Sequence, residues 1–191
     1  ILNMIHYFWP SLLKLGFVVS MVTPIIKATK ASQTKSFYTD SAFRTWYGDG
    51  KQGWKIKYYK GLGTSTSAEA REYFKKIQDL TVKFDMDTMT NDSIVLAFDK
   101  KKADARKSWL LENTAKDADQ LEVPYGSVKQ LDITDFVHKD LVNFSLADLK
   151  RSIAHMADGL KPSQRKVMFA CFKKNLKDEM KVAQLAAFVA E

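Results

Sequence analysis

Apolar residues recur at the spacing of one helix face at the start of the chain, where Ile1, Ile5, Phe8 and Leu12 line up and Ser11 to Gly16 closes the helix. The β-branched run from Phe17 to Ile26 predicts a strand. The apolar-aromatic stretch Lys35 to Thr39 leads into a predicted helix from Asp40 to Tyr47, and Trp54 to Tyr59 alternates as a half-buried strand. The segment KGLGTSTS, Lys60 to Ser67, predicts a strand-to-helix turn. Gly61 and Gly63 permit backbone angles closed to other residues, and Thr66 and Glu69 have capping-box spacing. In the helix that follows, Ala70, Tyr73, Phe74, Ile77 and Leu80 form one apolar stripe. Ser93 to Phe98 reads as a further strand, leading into a basic helix that holds Lys100, Lys101, Lys102, Arg106, Lys107 and Trp109.

Periodicity fades over residues 113–127, a polar stretch with Pro124 and Gly126 that reads as a linker. Helical patterns then cover Phe136 to His155, Pro162 to Lys174 and Lys181 to Glu191. The expected fold class is therefore α/β over residues 1–112, followed by a mainly helical part over residues 128–191. Repeats and low-complexity tracts are not seen.

Composition narrows the picture. The chain has 46% hydrophobic residues and a net charge of +8, which suits one sizeable core or two small ones and favours anionic partners such as nucleic acid. A single cysteine, Cys171, excludes an internal disulfide framework and a cysteine zinc site. His6, His138 and His155 are too scattered for ligand spacing and read as ordinary surface or core histidines. His6, Pro10 and Lys14 interrupt the apolar first 26 residues, which therefore fit neither a membrane span nor a signal peptide. Both ends fall inside helical patterns, so the chain reads as cut from something larger.

Three features could carry chemistry. The KGLGTSTS turn fails the Walker and dinucleotide spacings, leaving a capped structural turn as the plainer reading and a phosphate contact as the other. In the helix beginning at Pro162, the 100° rule puts Val167, Met168, Cys171 and Phe172 on one side and Arg165, Lys166 and Lys173 on the other. The bland reading is a solvated surface helix. The sharper one adds Lys161, Lys177 and Lys181 and sees a helix-turn-helix unit laid on DNA, binding phosphates without reading bases. Arg106 and Lys107, with the lysines before them, make a second patch that on charge alone is a solvated face. Asp85, Asp87 and Asp92 read as a solvated turn rather than a magnesium site, and no nucleophile with an adjacent base can be picked out.

Two segments match something specific: KYYKGLGTSTSAEAREYF, Lys57 to Phe74, and DGLKPSQRKVMFACFKKN, Asp158 to Asn175, followed by KVAQLAAFVAE. With LAFDKKKADARKSWL, ILNMIHYFWPSLL and TPIIKATK in the same order, the chain resembles the eukaryotic-type type II DNA topoisomerases over nearly its whole length. The resemblance implies the end of a Toprim domain followed by the entry to a winged-helix gate. It implies a homodimeric, ATP- and magnesium-dependent nuclear enzyme, or a mitochondrial one, that cuts and reseals double-stranded DNA through a tyrosine. In the family, the metal carboxylates lie before the position of Ile1, and the catalytic tyrosine and its arginine lie beyond that of Glu191. The 191 residues alone are thus expected to hold no catalytic residue, bind no metal or ATP, and cut nothing.

By matched position, the resemblance makes Arg106, Lys107 and Lys161 DNA contacts. Arg165 and Lys166 are added from the helical charge face, and Lys60 is placed near the DNA channel. Ser163 stands where the family usually has glycine and Ala105 where it has an acid; neither change removes positive charge. The competing class is a non-enzymatic basic helix-turn-helix DNA-binding module, and a third is a membrane-surface protein anchored by residues 1–26.

Overall fold

The computed structural model describes residues 1–48, 50, 52–59, 61–116 and 121–191. They form two compact units, Ile1–Asn143 and Phe144–Glu191.

The first unit opens with two short helices, α1 (Leu2–Phe8) and α2 (Pro10–Lys14), and strand β1 (Val19–Met21). Next come β2 (Ile26–Lys30), β3 (Gln33–Phe37), α3 (Asp40–Tyr47) and β4 (Lys55–Tyr58). These strands form an antiparallel sheet in the order β3-β2-β4, with Ala28 opposite both Lys35 and Ile56. Because strand side chains alternate, Ile26 and Ala28 share one face. There they meet Phe37 and Phe43, with Trp46, Tyr47, Trp54 and Ile56 packed around them. Phe43, Trp46 and Tyr47 stand at i, i+3 and i+4 on α3, which makes that helix the lid of this core. The opposite sheet face carries Lys27 and Thr29.

A second core forms around β5 (Thr81–Asp85), which follows α4 (Ser67–Lys75) and α5 (Ile77–Leu80). β5 pairs antiparallel with β1 and parallel with β6 (Gln130–Asp132). Val82, Phe84 and Leu131 are buried. Between β5 and β6 run α6 (Thr90–Phe98), a 3₁₀ turn at Lys100–Lys102, and α7 (Ala103–Thr114). After β6, the short α8 (Ile133–Asp135) continues into a π-helical turn, Phe136–Leu141, and then into α9 (Val142–Ser152). Ile133 and Val137, four residues apart, are fully buried.

Several expectations change. The run from Phe17 to Ile26 is two strands in two sheets, parted at residues 22–25 by Pro24, which cannot donate to a ladder. Ser93 to Phe98 is helix rather than strand: the four apolar residues Ile94 to Ala97 show no alternation, and such a run fits a buried helix as well as a buried strand. The stripe after the glycine turn is interrupted at Lys76, leaving Tyr73 buried and Phe74 exposed. β5 and β6 carry no periodic signal long enough to announce them. The expected linker, residues 113–127, packs within the first unit, where Asn113, Leu121 and Val123 are all buried. Glu122 accepts from the backbone N–H of Asp40 (2.8 Å) and of Ser41 (3.3 Å) at the start of α3, fastening that segment.

The second unit contains most of α9, then α10 (Pro162–Lys173) and α11 (Val182–Ala190). The expected apolar face of α10 is not the buried one among the described residues: Phe172 is 74% exposed, whereas Ala170 is covered. Among the described residues, no helix is long and apolar enough to cross a membrane.

Candidate nucleic-acid interface

The turn before α10 is built by Asp158, whose Oδ1 accepts from the Leu160 N–H (2.9 Å), while Gly159 adopts φ +68° and returns the chain to His155. Lys161 is the N-cap of α10, with extended backbone, and its N–H donates to Gln164 Oε1 at 2.8 Å. Pro162 takes the first helical position, where its missing N–H costs nothing. Arg165 then reaches back: Nε and Nη2 donate to the two oxygens of Asp158 at 2.9 and 2.8 Å. The Leu160 N–H, and after it Arg165, hold the Asp158 carboxyl below the usual range. The ammonium groups of Lys161 and Lys166 are exposed and have no ion-pair partner among the described residues. Of the three cations expected on this helix, two are presented outward and Arg165 is turned onto its own turn. Beside them, Pro162, Lys166, Phe169, Ala170 and Phe188 line a groove of about 750 Å³ between α10 and α11.

The second patch divides in the same way. Arg106 lies half-buried, with Nη1 donating to the carbonyls of Leu96 (2.9 Å) and Asp99 (3.1 Å). These belong to the C-terminal turn of α6 and its cap, whose carbonyls have no partner within the helix. Lys107 is exposed and pairs with Asp104 at 3.0 Å, a surface contact of little strength. Lys100, Lys101 and Lys102 are exposed on the 3₁₀ turn that Asp99 caps through the Lys101 N–H.

Lys60 lies outside the described residues. The turn after it is built as the sequence implied: Gly61 sits at φ +61°, Glu69 N–H donates to Thr66 Oγ1 (3.3 Å), and Thr66 N–H donates to Glu69 Oε2 (2.8 Å). Glu69 does more than close a capping box. It also accepts from Lys57 Nζ at 3.1 Å and from the Tyr59 hydroxyl, and Lys27 Nζ lies 3.6 Å away. Burial pushes its carboxyl up, but the hydrogen bonds from Thr66, Tyr59 and Lys57 outweigh this and hold it at about 2. Burial, and then the bond to Glu69, raise Tyr59 to about 12. The sequence held a signal for this hub: Lys27 and Lys57 stand directly opposite on β2 and β4, and such like charges call for a carboxylate between them.

Asp87 belongs to a structural network, not a solvated turn. Burial pushes it up, but Thr134 and the Met89 N–H hold it below the usual range. Its carboxylate accepts from Thr134 Oγ1 (2.7 Å), Thr134 N–H (3.2 Å) and Met89 N–H (2.7 Å). Ser93, His138 and Trp109 continue the same network. Among the described residues, no three His, Cys, Asp or Glu side chains gather as a metal-binding set.

The comparisons with known proteins agree with one another. Residues 21–149 match the family model for the C-terminal associated domain of TOPRIM, and residues 151–191 match that for DNA gyrase/topoisomerase IV. The chain is 49% identical over 193 residues to a probable DNA topoisomerase 2 of Dictyostelium discoideum and 48% identical over 202 residues to DNA topoisomerase 2-beta of Gallus gallus. All of the chain is covered in both cases, but it spans only 12% of either relative. A mitochondrial DNA topoisomerase 2 of Dictyostelium discoideum is 46% identical, again over the whole chain and 15% of the relative. The fold is similar to a crystal structure of the Plasmodium falciparum topoisomerase II DNA-binding, cleavage and re-ligation domain, with TM-score 0.78 and 45% identity over 99% of this chain and 26% of that one. With well over half of its residues matched by the first family model, the chain belongs to the family of TOPRIM C-terminal associated domains, in the form carried by type II DNA topoisomerases.

Proposed function

We propose that the chain supplies DNA-backbone contacts within an ATP-dependent type II topoisomerase, an enzyme that cuts both strands of one duplex, passes another through and reseals the first. The likeness over 99% of the chain to a DNA-binding, cleavage and re-ligation domain carries this reading. The outward lysines support it. Lys161 and Lys166 at the start of α10, and Lys100, Lys101, Lys102 and Lys107 at the start of α7, present compact ammonium charges suited to phosphate oxygens. Each contact releases condensed counterions, so binding is steeply salt-dependent and tolerant of sequence. Arg106 and Arg165 join the interface mainly by building the turns that present these lysines, and Lys60 extends it from the glycine turn.

The domain reading follows the resemblance. Residues 1–112 belong to the Toprim side, and α9, α10 and α11 form the entry to a winged-helix gate in a homodimer. The parent works in the nucleus, with a mitochondrial form as the second reading. Magnesium would polarise the scissile phosphate and ATP would drive strand passage. The resemblance assigns the metal carboxylates, the tyrosine and its arginine to parts of the parent outside these residues, so bond cleavage and resealing belong to those parts.

The test is binding of a labelled duplex across a salt series, comparing the chain with a Lys161→Glu, Lys166→Glu variant. Loss of affinity in the variant, together with a flatter slope of log affinity against log salt, supports the interface. Equal binding by two folded proteins refutes it. Relaxation of supercoiled DNA by the 191 residues alone would show that the chemistry had been assigned to the wrong part.

A further inference from the structure

Five side chains form one directed chain of hydrogen bonds between α7 and the π-helical turn. Trp109 Nε1 donates to His138 Nδ1 at 3.0 Å, and His138 Nε2 lies 3.2 Å from Ser93 Oγ. Ser93 donates to Thr134 Oγ1 at 3.3 Å, and Thr134 donates to Asp87 Oδ1 at 2.7 Å. The indole can only donate, so Nδ1 must keep its lone pair, and in the neutral ring the proton is on Nε2. That proton goes to Ser93, and every later hydroxyl points the same way, ending on a carboxylate. The indole is buried, and the two rings meet edge to face with centroids 5.7 Å apart.

We infer that Trp109 and His138 are positioning residues, a protonation-sensitive latch that sets α7, with Lys107 on it, against the π-helical turn. A proton on Nδ1 turns the imidazole's lone pair into a second N–H facing the indole N–H, and the contact opens. The charges that face the ring are Lys116, beyond the end of α7, Asp135 on α8, and Asp87 on the loop after β5. Burial, and then Lys116, hold the imidazole below its ordinary range, with Asp135 and Asp87 opposing. The latch is therefore closed at neutral pH and opens as the pH falls below about 6.5.

The positioning role rests on the DNA reading above; the latch itself does not. The two part from simple electrostatics in sign. An added imidazolium charge strengthens DNA binding in acid, whereas an opened latch loosens α7 and weakens it.

The experiment follows the Trp109 indole N–H and the His138 ring nitrogens by NMR from about pH 7.5 to about pH 5. Duplex affinity is measured over the same range, for the chain and for His138→Asn. Asparagine can accept from the indole and donate to Ser93 but does not titrate, while His6 and His155 titrate in both proteins. Expected are an unprotonated Nδ1 at neutral pH, an indole signal that moves with the His138 titration, and an affinity that drops at least about threefold in acid relative to the asparagine variant. A proton on Nδ1 at neutral pH, or an indole signal indifferent to the titration, overturns the latch. A responsive indole with the same pH profile of binding in both proteins overturns the positioning role. Absence of duplex binding at every pH overturns the proposed function and the positioning role together, while the indole titration still decides the latch.

Discussion

Arg165 clasps Asp158 seven residues earlier, fork to fork, so the arginine that a helical wheel assigns to a DNA-facing surface is tied to the turn that starts its own helix. A bidentate pair of this kind fixes geometry and cancels charge at once. Asp158→Asn should keep the Leu160 bond, loosen the clasp and return a positive charge to the surface. Duplex affinity should rise, and the salt dependence should steepen by about one phosphate contact. Arg165→Ala should instead fray the start of α10, read as lower helicity by circular dichroism. An Asp158→Asn variant that binds DNA more weakly would mean that the turn matters more than the released charge.

Arg106 and Lys107 should separate under substitution. Arg106→Lys loses the planar fork that reaches both the Leu96 and Asp99 carbonyls and should cost about 1–2 kcal/mol in urea unfolding. Lys107→Ala removes an exposed pair and should leave stability unchanged within about 0.5 kcal/mol, while lowering duplex affinity at low salt.

Glu69 sets an acid limit on the first unit. Its folded carboxyl is depressed from the ordinary 4.5 to about 2, so the stability it contributes is present above about 4.5 and drains away as pH falls toward 2. Glu69→Gln should lower stability by roughly 2–3 kcal/mol at pH 7, where Lys27 and Lys57 are left facing each other, and should flatten the acid limb of the unfolding curve. An unchanged acid limb would assign that limb to other carboxylates.

Gly126 has φ +95°, and a Cβ there would sit 2.5 Å from the Tyr38 ring. Gly126→Ala meets backbone strain and a ring held in place by neighbouring packing, and should cost about 1–3 kcal/mol by thermal or urea unfolding.

The parts of this structure that were legible in the sequence are those whose signal is local. The capping box of Thr66 and Glu69, the helix from Asp40 to Tyr47 and the Pro162 start of α10 each follow from residues within a turn of one another. What could not be read depends on partners far along the chain. Ile94 to Ala97 becomes helix because of what it packs on, residues 121–123 are buried because Glu122 finds α3, and His138 matters because Trp109 lies 29 residues away. The charge patches were located correctly as segments. The inward turn of Arg106 and Arg165 was hidden because a wheel shows which side a residue leaves from, not where a long side chain ends.

β5 lies in the middle of its sheet only because β6 arrives from 45 residues later to run parallel beside it. A protein shortened to stop anywhere before Gln130 would keep every residue of the sheet's other two strands and yet bare a flank of unsatisfied amide and carbonyl groups along Lys83 to Asp85. Such a flank recruits other chains, so that product should accumulate as insoluble aggregate, whereas one ending after Asn143 should stay in solution.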